Sequence, residues 1–298
     1  IQRRHITQWA IARGCPQPIA HQIARLGDVL RLTKQMPGTS SGAKAARAIA
    51  KRFYKRPLCF FMRDQHGQIA SLKCRGSQAH TAKSKELPNE LTGARDFRAF
   101  GFDPKAIAHA ARHNLPIVLV EGEADWAMTQ ATLNLLGGGV ALGAWNNRAM
   151  TDLANHLADA IPEGTRPHIY VFPDEDGKEH SITKTAALAA VTALLRTGAH
   201  VHLVTVPEHY RDTHGKADAA DVLCQHGADA LMRLILDAPL APSRAKDIHQ
   251  QRHQLVDIGK DIFLDGGMHV INADLGTGKT FIVAIQSALK ALQNNPQQ

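Results

Sequence analysis

Pro116-Ile117-Val118-Leu119-Val120-Glu121-Gly122-Glu123-Ala124-Asp125 decides how this chain folds. Residues 116–120 are a short uncharged apolar run of the kind that forms a strand buried on both faces. Residues 124–136 then follow the apolar period of a helix. The same alternation continues downstream. Residues 139–142, 168–172 and 200–206 read as strands, and 150–160, 183–195 and 219–236 as helices. Strands alternating with helices imply a parallel sheet covered on both faces, the α/β class.

In an open parallel sheet, ligands sit beyond the carboxyl ends of the strands. Acidic residues gather at those ends here. Glu121, Glu123 and Asp125 follow the first strand, Asp174 and Asp176 the third, Asp218 and Asp221 the fourth. Taken singly, each reads as a helix N-cap or a solvated loop carboxylate, Asp218 above all as an N-cap. Taken together they repel one another, and a hard divalent cation with oxygen ligands relieves that repulsion.

These residues resemble the Toprim domain shared by bacterial-type primases, topoisomerases and some nucleases. The first motif of that family is a hydrophobic strand ending in Glu-Gly-x-x-Asp, here Val118 to Asp125. A second strand ending in glycine is matched by Ala141-Leu142-Gly143, and the Asp-x-Asp motif by Asp174-Glu175-Asp176-Gly177. Lys216-Ala217-Asp218-Ala219-Ala220-Asp221 resembles a late primase segment, with Ala217 as an extra residue between lysine and aspartate, and residues 178–183 lengthen the step to the next helix. The resemblance implies Mg²⁺ or Mn²⁺ held by Glu121, Asp125, Asp174, Asp176, Asp218 and Asp221, with Glu121, Asp174 and Asp176 catalytic. Residues 57–115 are similar to the basic subdomain that precedes Toprim in primases. Strands at 58–63 and 69–75 flank Asp64-Gln65-His66-Gly67, a hairpin connection, and lead to Arg75-Gly76 and then Lys83-Ser84-Lys85. The resemblance implies that Arg63, Lys73, Arg75, Lys83 and Lys85 contact phosphates of nucleic acid.

Charge agrees with such a partner. The 298 residues carry a formal net charge of +8 and 21% charged residues, with mean hydropathy −0.22. Residues 1–115 hold a net +15 and residues 116–298 a net −7. A basic first part ranks nucleic acid first among partners, and an acidic second part suits cations. Four cysteines without a C-x-x-C pair give neither a disulfide framework nor a zinc ribbon. No apolar stretch is long enough to span a bilayer and no signal-peptide pattern opens the chain, so a cytoplasmic protein is expected. A start at Ile1 and a polar end suggest part of a longer protein.

Ala273-Asp274-Leu275-Gly276-Thr277-Gly278-Lys279-Thr280 lies between a strand reading at 268–272 and a helix reading from 279, and resembles a Walker A loop. Backbone N–H groups at Gly276 and Gly278 suit phosphate, Lys279 the β- and γ-phosphates of ATP, and Thr280 its Mg²⁺. Only 18 residues follow Thr280, so the unit is the start of a motor and not a whole one. The expected organisation is a helical segment at 1–56, a basic primase-core α+β subdomain at 57–115, a Toprim domain at 116–238, and a linker with an incomplete P-loop NTPase unit at 239–298. The expected activity is DNA primase: metal-dependent synthesis of RNA primers from nucleoside triphosphates on single-stranded DNA, fused to or served by a replicative helicase of phage or plasmid type. The alternatives are a Toprim-type nuclease and a non-catalytic replication-initiator module. A topoisomerase needs a nucleophilic tyrosine, and Tyr54, Tyr170 and Tyr210 lie in no context that marks one.

Overall fold

A computed structural model describes residues 2–31, 58–76, 85–86, 97–146, 148–177 and 182–241. The chain divides into units 1–241 and 242–298, and the second, with the Walker A loop, lies outside the described residues.

The chain opens with α1 (Gln2–Ala12), α2 (Gln17–Ile23) and β1 (Val29–Arg31). Residues 29–31 therefore depart from the helical reading of 1–56: they pair antiparallel with β2 (Leu58–Arg63), Val29 opposite Phe60. Three residues are too few to show a period, and Val29 is buried by tertiary packing against its neighbours. β3 (Ile69–Arg75) returns beside β2 through a turn in which Asp64 Oδ1 accepts the N–H groups of His66 and Gln68 at 3.0 and 2.9 Å. β4 (Lys85–Glu86), β5 (Ala99–Phe100) and α3 (Pro104–Arg112) follow. Asp103 caps α3, accepting from the Lys105 N–H at 2.9 Å.

The expected alternation then appears: β6 (Ile117–Glu121), α4 (Gly122–Leu136), β7 (Val140–Ala144), α5 (Ala149–Ala160), β8 (His168–Val171), the short β9 (Glu175–Asp176), α6 (Ile182–Leu195) and β10 (His200–Leu203). A 3₁₀ turn (Glu208–Tyr210), β11 (Lys216–Ala217), α7 (Ala219–His226) and α8 (Ala228–Leu236) complete this unit. The single helix read at 219–236 is two, because Gly227 at φ 86° breaks it.

One sheet runs β10-β8-β6-β7-β5-β2-β3-β4, with β1 paired to β2. Its first four strands are parallel and the rest antiparallel. The two-residue β5 joins the halves, pairing Phe100 with Gly143 on one side and Met62 on the other. Alternate strand residues feed two cores. Val118, Val120, Tyr170 and Phe172 pack with α1, α2, α4, α7 and α8. Ile117, Leu119, Ile169 and Val171 pack with α3, α5 and α6 on the other face. The observed class is α/β with a mixed sheet, whose parallel part carries helices on both faces.

Trp126 binds the halves. Its Nε1 donates to Ala141 O at 3.1 Å, and its ring stacks on Phe100 at 5.9 Å. Gly143 makes room for it: a Cβ there would lie 2.7 Å from Trp126 Cβ and 3.0 Å from Gly122 O. Neither obstacle is the free end of a flexible chain. Gly143→Ala is expected to lower stability by about 1–3 kcal/mol through overpacking, read as a lower urea midpoint at unchanged slope; an unshifted midpoint would contradict this packing.

Candidate active site

From β6 the chain crosses to β7 on one side and then returns to β8 on the other, which makes the β6/β8 boundary the switch point where ligands bind in such sheets. Glu121 is the last residue of β6, and Asp174 lies just past β8. Gly122 makes the turn from β6 into α4 with φ 80°, a conformation that L side chains avoid, and a Cβ would also sit 3.3 Å from Asp125 Oδ2. The Glu-Gly step therefore sets Glu121 at the strand end and Asp125 one helical turn later on the same side.

Asp218 and Asp221 arrive by a different route from the one expected. The fourth parallel strand, β10, ends at Leu203, well before them. They are returned by a two-stranded ribbon in which β11 pairs antiparallel with β9, Lys216 opposite Asp176 and Ala217 opposite Glu175. Buried Glu175 anchors the ribbon, 3.6 Å from Lys184 Nζ and 3.8 Å from Arg211. Asp218 caps α7 as its position suggested, accepting the Asp221 N–H at 2.6 Å. Asp125 Oδ1 accepts the Ala220 N–H of the same helix end at 2.9 Å. The positive end of α7 thus steadies two of the carboxylates.

Glu121, Asp125, Asp174 and Asp218 line an open cleft of about 240 Å³ together with Gly122, Glu123, Ala124, Arg13 and Arg75. Asp176 and Asp221 do not line it, but both act on Asp174 electrostatically. Burial and the surrounding carboxylates Glu121, Asp218, Asp221 and Asp176 push Asp174 up to about 9. Burial raises Glu121 to about 7, against the Asp174 backbone N–H and with the help of Asp176. Asp125 is raised well above its ordinary value by burial, Asp218 and Asp174, and Asp221 by burial and Asp218. Glu121 Oε1 is buried with no hydrogen-bond partner. An all-oxygen donor set with an orphaned acceptor and mutually raised carboxyls fits a hard divalent cation. Among the described residues no three such side chains are already drawn into a ligand cage.

Two cations expected to meet nucleic acid serve a nearer partner. Lys73 Nζ and Arg75 Nη1 hold the Glu123 carboxylate at 2.9 and 3.1 Å, and Lys73 also donates to Trp145 O at 3.1 Å. Burial works against the Glu123 charge, but these cations outweigh it and keep its pKa low. Arg63 makes a bidentate pair with Asp28, at 2.8 and 2.6 Å, and donates to Gly67 O at 2.6 Å. The pair ties β2 to the residue just before β1, and the Gly67 bond ties it to the hairpin turn. Lys83 lies outside the described residues, as does the side chain of Lys85. Arg13, past the end of α1, lines the cleft and was not anticipated; no motif in the sequence announces it.

The chain matches no protein-family model and no curated protein sequence. Its fold is similar to solved primase cores. It matches the zinc-binding and RNA polymerase domains of the Aquifex aeolicus primase with TM-score 0.52 at 15% identity, over 95% of this chain and 66% of that one, just under two thirds. A DnaG primase catalytic domain bound to single-stranded DNA matches with TM-score 0.53 at 16% identity, over 95% of this chain and 87% of that one. The E. coli primase catalytic core gives 0.52 at 16%, over 97% and 90%. The expected α/β fold of a primase core is the fold of the described residues, and the expected P-loop unit lies outside them. No helix among the described residues is long and apolar enough to cross a membrane.

Raised carboxyls make the ion-free protein sensitive to alkali. Folded Glu121 and Asp174 keep protons that the unfolded chain, with ordinary values of 4.5 and 3.8, has already lost. Their contribution therefore declines as pH climbs from about 4, through Glu121 near 7, to Asp174 near 9. In EDTA the Tm is expected to fall across this window, and Mg²⁺ or Mn²⁺ to restore it at the alkaline end. A Tm that ignores both pH and cation would contradict the cluster.

Proposed function

We propose that this chain is the catalytic core of a DNA primase, joining ribonucleotides from nucleoside triphosphates into short primers on single-stranded DNA. The observation that carries this reading is the set of carboxylates converging at the switch point of a primase-core fold. Mg²⁺ or Mn²⁺ held by Glu121, Asp174 and Asp176, with Asp125, Asp218 and Asp221 around them, would supply Lewis-acid activation and charge neutralisation for phosphoryl transfer. Glu121, at the end of β6 in the same cleft, is also the candidate for proton transfer at the attacking hydroxyl. Arg13 and Arg75 line the same cleft and suit the triphosphate. The net +15 of residues 1–115, Lys83 and Lys85 included, suits a template backbone and makes binding salt-dependent. One structural neighbour is described as bound to single-stranded DNA, which supports that template. The Walker A resemblance at Gly276, Gly278, Lys279 and Thr280 extends the reading to ATP binding and a helicase joined downstream, in a cytoplasmic replication protein of phage or plasmid type.

Incubation with single-stranded DNA, labelled ribonucleoside triphosphates and Mg²⁺ or Mn²⁺ is expected to give short RNA. Shortened DNA would mean a nuclease, and a gel shift without chemistry a binding module. Asp174→Asn is expected to abolish synthesis while raising the ion-free Tm at alkaline pH, since it removes a charge from a repelling cluster. Full activity in that variant would overturn the assignment.

A further inference from the structure

Cys59 of β2 and Cys74 of β3 are directly paired residues of an antiparallel ladder, and their Sγ atoms lie 3.0 Å apart. Directly opposed residues in such a ladder have Cα atoms about 4.5–5.5 Å apart, within the range of about 4.4–6.8 Å that a disulfide spans. Both rotamers already point at each other, so closure needs little backbone movement. Both side chains are buried, at 1% and 0% exposure. The other two cysteines are not paired across a ladder: Cys15 Sγ donates to Pro16 O, and Cys224 Sγ donates to Met128 Sδ at 3.8 Å.

We propose that Cys59 and Cys74 form a reversible cross-strand disulfide, a redox modification site whose oxidant is a small hydroperoxide. Burial selects the oxidant, because hydrogen peroxide is close to water in size while larger disulfides cannot reach the pair. In the first step one sulfur attacks a peroxide oxygen. An S–O bond forms, the O–O bond breaks, one water leaves, and the thiol becomes a sulfenic acid. The second thiol then attacks that sulfur: the S–S bond forms, the S–O bond breaks, and a second water leaves. Two thiols give up two electrons and two protons, and one peroxide becomes two waters. The hydrogen bond shared with Cys74 and burial raise the Cys59 pKa, so its thiolate is scarce at neutral pH and the reaction quickens as pH rises.

The bond lies between Lys73 and Arg75 along β3, on the opposite side of the strand from the two cations. It would fix the register of the strand whose cations hold Glu123 at the cleft wall. The site stands on the thiol geometry alone and does not depend on the reading of the carboxylates.

The test treats the native chain with hydrogen peroxide, alkylates the remaining thiols, and maps peptides without reduction. The expected result is a Cys59–Cys74 linked peptide lighter by two hydrogens, faster to form at pH 9 than at pH 7, reversed by dithiothreitol, with Cys15 and Cys224 alkylated. The linked protein is expected to melt at a higher temperature, with no peroxide-dependent shift in Cys74→Ala. Alkylation of both Cys59 and Cys74, separate over-oxidation of each, or a link that appears only in urea would overturn the proposal. The wild-type mapping decides even where Cys74→Ala does not fold.

Discussion

Carboxylates buried beside one another repel, and this chain holds them together with its backbone. Glu121 is fixed by the end of β6, Asp174 by the exit from β8, and Asp125 and Asp218 by N–H groups at the start of α7. None of these positions is chosen by attraction between the acids, which raise one another's pKa values instead. Two apolar cores on opposite faces of the sheet supply the stability that offsets this repulsion. Such local conflict between charge and packing is what a site shaped for a cation requires, and it leaves the ion-free protein below its best stability.

The opposite charge is laid out by the same sheet. β2 and β3 extend the parallel half through β5, so the basic first part and the acidic second part share one ladder. Glu123 is the meeting point. It stands between Glu121 and Asp125 in sequence, yet it belongs to the cationic wall, where Lys73 and Arg75 neutralise it. Trp9 lies under that wall, with the Arg13 and Arg75 guanidinium carbons each 5.8 Å from its ring. An aromatic base beneath two arginines holds their charge toward the cleft without placing another carboxylate there.

Elements with a long apolar signature were legible. β2 and β3 have the bounds read for them, and β6, α4, α5 and α6 differ by one or two residues, because buried runs and helical periods report directly on burial. Elements made by tertiary pairing were not. β1, β4, β5, β9 and β11 have three residues or fewer, and a pattern of period two needs more than that to be visible. The carboxylates could be named because their residue types stand out after apolar strands. The route of Asp218 could not, since it depends on the ribbon between β9 and β11. Nor could the partners of Lys73 and Arg75, since a long cation reaches whichever acid the fold sets before it.

Asp218 shows how the plain and the functional reading of one residue coexist. Its Oδ1 caps α7, as an aspartate before a helix ordinarily does, and its carboxylate still lines the cleft and raises Asp174. Asp125, from the facing helix, likewise accepts an α7 N–H and still lines the cleft. A carboxylate has two oxygens, and a backbone N–H engages one of them. Capping therefore orients the group and leaves it able to serve a cation, so a helix end becomes the mount for part of the site. For this reason the N-cap and metal-site readings of a lone aspartate are not true alternatives. What separates them is whether other carboxylates share the same cleft, and here Glu121 and Asp174 do.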